Sequence, residues 1–201
     1  MSYPTIIKLG GSLLHWEGLK TSLAGLFQSL KGPSAIIVGG GVLAEEIRRW
    51  HLRHFSNEEA SHWRAVKAMD INADLLRDLC QESQLWTLPF PPWNHLSVSK
   101  QPYLLKPTSW LECIANSNFD HDLPRNWNTT SDSISLKLTF EWRCKRLILL
   151  KSCDRPAGSW IECAKAGVID SNFPKLIDCC NNLPQIEWIN LRKLQGNQPN
   201  L

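Results

Sequence analysis

The residues of this 201-residue chain best suited to chemistry are two lysines, two glycine turns and an aspartate. Lys8 precedes Gly10-Gly11-Ser12, and Lys151 precedes Ser152-Cys153-Asp154. A glycine turn after a strand lets backbone N–H groups approach an anion with no side chain in the way, and Lys8 can place its ammonium over the same anion. Gly39-Gly40-Gly41 leads into a helix beginning near Val42, where unpaired N–H groups and the positive end of the helix dipole favour negative charge. Taken singly, each turn also reads as an ordinary tight connection. Both lie at the C-terminal ends of strands, the edge where open parallel sheets bind ligands. Neither is a Walker loop or a GxGxxG fingerprint.

Thr130-Ser131-Asp132-Ser133 supplies a carboxylate. An aspartate beside phosphates repels them unless it holds cations, so the sensible role for Asp132 is to orient Lys8 and Lys151 towards a transferring phosphoryl group. The plainer alternative puts Asp132 in the first turn of a helix and Lys151 in solvent at a strand end.

These residues need elements to position them. Thr5 to Leu9, Ala35 to Val38 and Arg146 to Ser152 read as buried strands, with weaker strands at Tyr103 to Leu105 and Ile186 to Leu191. Apolar residues at helical spacing predict helices from about Glu17 to Leu30, after Gly41 (with Leu43, Ile47, Trp50 and His54 on one face), and from Glu58 to about Cys80. Ser109 is placed to cap a short helix beginning at Trp110. Leu88 to Trp93 is a proline-rich loop and Gln195 to Leu201 a polar tail. The order strand, helix, strand, helix predicts a parallel sheet covered by helices. From Ser133 to Trp142 the signals divide: Ile134, Leu136, Leu138, Phe140 and Trp142 alternate like a strand, whereas Ser131 and Asp132 suit a helix N-terminus.

Composition narrows the class. Hydrophobic residues are 43% and charged residues 20%, ordinary for a globular domain. The net charge of +3 is dispersed, so no dedicated nucleic-acid surface is expected. No run suits a membrane span, and MSYPTIIKLGG lacks a leader pattern, so a cytoplasmic protein is expected. The seven scattered cysteines read as free thiols rather than a disulfide framework or zinc site. His51 and His54, among Arg48, Arg49 and Arg53, read as a solvated basic face rather than metal ligands. Most of the ten tryptophans, Trp50 and Trp63 among them, are expected in the core or an interface.

With IIKLGGSLL at 6–14, IIVGGGVLAEEIRR at 36–49, NTTSDSIS at 128–135 and LLKSCD at 149–154, the sequence resembles the amino-acid kinase superfamily. The short chain, SHWRAVKAMD at 61–70, NWNTTSDSIS, LLKS and Ile189-Asn190-Leu191-Arg192 are similar to its methanofuran-biosynthesis branch. That branch phosphorylates [5-(aminomethyl)furan-3-yl]methyl phosphate to the diphosphate.

The resemblance implies a three-layer α/β/α sandwich with a mainly parallel sheet, read as one domain over 1–201. Residues 1–125 would form the acceptor-binding part and 126–201 a short nucleotide-binding part. It implies ATP with Mg²⁺, a small-molecule phosphate acceptor, no protein-bound metal, and a homo-oligomer built through sheet-flanking helices. Lys8, Asp132 and Lys151 would be catalytic. Lys8, Gly10, Gly11, Ser12, Lys151, Ser152 and Asp154 would bind nucleotide, and Gly39, Gly40, Gly41, Asn128 and Thr130 the acceptor. It also makes 131–143 a helix. Cys153-Asp154-Arg155-Pro156 replaces the family's Asp-Gly pair, so that turn should differ. A kinase of another carboxylate or phosphate (an amino acid, carbamate or an isoprenoid phosphate) and a non-catalytic ligand-binding protein are the alternative readings.

Overall fold

Strand β1 (Thr5–Leu9) is buried at every position, as a parallel sheet covered on both faces requires. The computed structural model describes residues 4–55, 57–87, 89–92, 101–115, 123–180 and 182–194. Leu88 and Trp93 of the proline-rich loop and the polar tail at 195–201 lie outside the described residues. The other strands are β2 (Ser34–Val38), β3 (Leu85–Trp86), β4 (Tyr103–Leu105), β5 (Arg146–Lys151) and β6 (Gln185–Asn190). All pair in parallel, in the order β3-β4-β2-β1-β5-β6. The helices are α1 (Leu19–Ser29), α2 (Gly41–His54), α3 (Glu58–Leu79), α4 (Pro107–Ala115), α5 (Ser131–Glu141), α6 (Trp160–Lys165) and α7 (Phe173–Asp178). No described helix is long and apolar enough to cross a membrane.

Strand side chains alternate between faces, and the alternation divides the core in two. Ile6, Ala35, Ile37, Leu147 and Leu149 pack with residues of α3, α4, α5 and α7. Ile7, Leu9, Ile36, Val38, Ile148 and Leu150 pack chiefly with α1. The result is the expected three-layer α/β/α sandwich. Arg146 and Glu187 add a paired contact across β5 and β6, with Nε and Nη2 each 2.6 Å from a carboxylate oxygen.

Segment 131–141 is a helix in spite of its alternating pattern. Every residue from Ser131 to Thr139 is buried, so no solvent face imposes a helical period on the sequence. Two of its polar side chains are satisfied locally: Ser135 Oγ donates to Ser131 O and Thr139 Oγ1 to Ser135 O, both at 2.6 Å.

Three other expectations change. Helix α4 begins at Pro107, which suits a first helical turn because its missing N–H needs no partner there; Ser109 is therefore inside the helix rather than its cap. The α2 stripe faces outward, with no α2 residue buried, Trp50 62% exposed and Leu43 40%. Trp63, by contrast, packs against the core. On the same helix His51 is half-buried and lies 3.3 Å from Ser61 Oγ, so only His54, stacked on Trp50, fits the solvated reading. Strand β3 and helices α6 and α7 were not expected, being too short to show a period. All seven cysteines are free thiols.

Candidate active site

Period two places both lysines on one face of the sheet. Lys8 follows Ile6 and Lys151 follows Leu149, so both point to the side that α5 covers. Lys8 pairs in register with Leu149 of β5, which leaves Lys151 two residues further along the neighbouring strand. Asp132, in the first turn of α5, meets both. Lys8 Nζ and Lys151 Nζ each lie 2.8 Å from the same Asp132 oxygen, Oδ1. All three residues are buried, at 4%, 7% and 4% exposure for Lys8, Lys151 and Asp132. Lys151 also donates to Val168 O at 2.6 Å and lies over the Trp188 ring at 5.3 Å.

Two cations and one anion leave this buried group with a formal charge of +1, an arrangement that favours an incoming anion. Burial pushes the Asp132 carboxyl up, but the two ammonium groups together outweigh it and hold it below its ordinary value. Burial, helped by the charge of Lys8, pushes Lys151 down from 10.5 to about 8. Between those values the unfolded chain binds more protons at this residue than the folded one. Its contribution to stability therefore rises with pH across that window.

The two glycine turns lie against each other. A Cβ on Gly11 would collide with the backbone of Gly41, and one on Gly39 would meet Gly11 N at 2.8 Å. Gly41 has φ +55°, which favours glycine. Gly11→Ala should thus destabilise the fold by about 3 kcal/mol, the upper end for overpacking, seen as a lower urea midpoint. Gly25→Ala is the control: in α1, with nothing within 4 Å of its added Cβ, it should be neutral or stabilising. Two glycine N–H groups are already used, Gly10 on Leu150 O and Gly39 on Leu9 O, each at 2.8 Å. An anion would be met instead by the first-turn N–H groups of α2, which have no intrahelical acceptor and no side-chain cap.

Two residues with no signal assigned in the sequence hold these parts in place. Asn72, buried on α3, donates through Nδ2 to Gly39 O at 2.8 Å and Gly40 O at 2.9 Å. Its clue is a polar side chain on the stripe of Val66, Met69, Ala73 and Leu76. Asp170, buried just before α7, accepts from Thr130 N (2.9 Å), Thr130 Oγ1 (2.8 Å), Ser133 N (3.0 Å), Ser133 Oγ and Phe173 N (3.0 Å). It satisfies the N-terminus of α5 that Thr130, its N-cap, leaves without a side-chain cap. Burial pushes its carboxyl up, aided by the charge of Asp132.

Of the remaining expected residues, Ser12 and Ser152 come together, their hydroxyls 3.0 Å apart, joining the ends of β1 and β5. Thr130 and Ser131 line a cavity beside Gly40. Asp154 does not join the lysine pair: it is exposed and bonded to Lys193 and to Asn190 Nδ2 (3.0 Å). Asn128 is exposed, with its Oδ1 accepting from Ser171 Oγ at 3.1 Å. Among the described residues no group of three or more His, Cys, Asp or Glu is placed to hold a metal.

No family model and no curated protein sequence matches the chain. Solved structures do. A uridylate kinase from Archaeoglobus fulgidus superposes with TM-score 0.61 at 17% identity, covering 96% of each chain. A UMP kinase from Bacillus anthracis gives 0.57 at 12% identity, covering 98% of this chain and 94% of that one. The UMP kinase from Ureaplasma parvum gives 0.56 at 14% identity, covering 96% and 91%. With its all-parallel sheet and near-complete overlap with these structures, the chain has the amino-acid kinase fold.

Proposed function

We propose that this protein transfers a phosphoryl group from ATP to a small phosphorylated acceptor. The observation that carries the proposal is the Lys8–Asp132–Lys151 group, with both ammoniums on one carboxylate oxygen, at the sheet edge where the two glycine turns meet. Nucleotide phosphates suit this setting: the donors are cations and backbone N–H groups, and the side-chain-free turns allow close approach. ATP carrying Mg²⁺ would supply the phosphoryl group; the acceptor oxygen forms a bond to the γ-phosphorus as the bond to ADP breaks. Lys8 and Lys151 would face charge developing on the transferring group, and Asp132 would fix their positions without reorganisation. A phosphate monoester is largely ionised at neutral pH, so no general base is required.

The acceptor we favour is [5-(aminomethyl)furan-3-yl]methyl phosphate, on the resemblance carried by SHWRAVKAMD and NWNTTSDSIS. UMP is the second reading, favoured by the fold neighbours. Purified protein with Mg-ATP and a panel of that furan phosphate, UMP, acidic amino acids, carbamate and an isoprenoid phosphate should give ADP and a diphosphate with the furan. Turnover of another acceptor alone would sink the substrate; no ATP binding by calorimetry would sink the kinase reading and favour a ligand-binding role. In the free enzyme kcat/KM for ATP should fall as pH rises through about 8, as Lys151 loses its proton. A flat profile from pH 7 to 10 would remove Lys151 from the reaction.

We further propose that the chain self-associates through α2. Trp50, Leu52 and Phe55 are 62%, 68% and 92% exposed. The resemblance implies a homo-oligomer built through sheet-flanking helices, and α2 leaves these apolar side chains uncovered. Sedimentation should show a dimer or larger that Trp50→Lys converts to monomer; a monomeric wild type would refute it.

A further inference from the structure

Beside Gly40 and Thr130 lies a cavity of about 60 Å³ whose walls include Arg48, His62, Trp127 and Thr129. Three of these side chains bring a polar atom with no partner: Arg48 Nε, Trp127 Nε1 and Thr129 Oγ1. Thr129 is only 3% exposed, so its hydroxyl has no bulk water to turn to. Unpaired buried groups of this kind cost roughly 1–3 kcal/mol each, so a ligand or water that meets all three donors is favoured here. Arg48 is held in place by the Trp127 ring, 4.8 Å from its guanidinium carbon, while its outer Nη1 lies 3.8 Å from Glu45. The backbone of Trp127 is fixed in turn by its main-chain N–H, which donates to Glu58 Oε1 at 3.3 Å. Burial pushes the His62 imidazole below its ordinary value, and its Nδ1–H donates to Asn126 O at 3.1 Å.

We infer that Arg48, Trp127 and Thr129 form an anion subsite that seats the phosphate of the acceptor. The inference rests on the phosphotransferase reading for the acceptor's role, but not for the binding of the anion. Two of the unpaired groups are N–H donors and the third is a hydroxyl able to donate, which matches an oxyanion and mismatches an ammonium or an apolar group. The position fits too, because the same cavity touches Gly40, at the foot of α2, and Ser131, in the turn that carries Asp132. A cavity of about 60 Å³ takes one phosphate-sized group, far below the roughly 300–1,000 Å³ of sites that enclose drug-sized ligands. The remainder of the acceptor therefore lies outside it, and a whole nucleoside does not fit within.

Calorimetric titration with inorganic phosphate, in the presence of saturating MgADP, tests the subsite without turnover. Arg48→Gln should weaken phosphate at least tenfold, and Trp127→Phe, which keeps an aromatic ring beside Arg48 but removes the indole N–H, several-fold. MgADP affinity should stay within twofold of wild type in both. Unchanged phosphate affinity in the two variants, or no phosphate binding by wild type, overturns the inference. Should Arg48→Gln melt below the assay temperature, Trp127→Phe decides alone. The kinase reading fails separately: MgADP would not bind, while phosphate would still bind and depend on Arg48.

Discussion

Replacing Lys8 by Ala should lower ATP-dependent phosphoryl transfer by about 10²–10⁴-fold and leave the chain folded. One preorganised donor aimed at developing charge is typically worth about 10²–10³ in kcat, and a cation on a transferring phosphoryl group more. Breaking a buried ion pair often costs about 3–5 kcal/mol because it strands a charge. Here the cost should be smaller, since Asp132 keeps Lys151 at 2.8 Å and the remaining pair is neutral. Removing Lys8 also removes a like charge that depresses Lys151, so the high-pH limb of any residual activity should move above about 8. Single-turnover kinetics across pH, with thermal melting of the same samples, checks all three statements. A rate within tenfold of wild type would exclude Lys8 from the chemistry.

Asp170→Ala should act in the opposite manner, on stability first. Its carboxylate accepts from five groups, among them the backbone N–H of Thr130 and Ser133 at the start of α5. Losing a helix cap costs about 0.5–2 kcal/mol, and each buried donor left unpaired about 1–3. A total near 3–5 kcal/mol is expected, some donors finding water. Asp132 and Thr130 share that turn, so the lysine pair would lose its fixed partner and activity should fall with stability. Asp170→Asn, which keeps an acceptor oxygen, should recover part of the stability. Denaturant midpoints of the two variants separate these outcomes. Equal midpoints for Asp170→Ala and wild type would show that water replaces the carboxylate without loss.

The strands and glycine turns were legible because their signals are local. Ile6-Ile7, Ile36-Ile37 and Leu147 to Leu150 are buried on both faces, and glycines at 10–11 and 39–41 mark where each of the first two strands ends. Lys8, Asp132 and Lys151 were legible as a set, since a carboxylate near phosphates makes sense only with cations around it. Helix α5 was ambiguous for a physical reason: a helix packed on all sides has no polar face, so its sequence carries no helical period. Trp50 left core and interface undivided because an apolar stripe records that a helix has a face to cover, not what covers it. Asp170 and Asn72 carried little local signal, for most of their partners lie 32 to 40 residues away in sequence. Asp154 shows the reverse, a residue placed by motif position that the fold ties to Lys193 at the surface.

By itself, then, the sequence determined a parallel α/β chain with two side-chain-free turns and two strand-end lysines able to meet an anion. Only the tertiary structure decided that the turns touch, through Gly11 and Gly41, and that both ammoniums share one oxygen of Asp132. It also decided that Arg48, Trp127 and Thr129 leave three polar atoms unpaired around one cavity. Period and turn chemistry are properties of neighbours along the chain. Distances between side chains on β1, α2, α5 and β5 are set by sheet register and helix packing, which bring together residues more than a hundred positions apart.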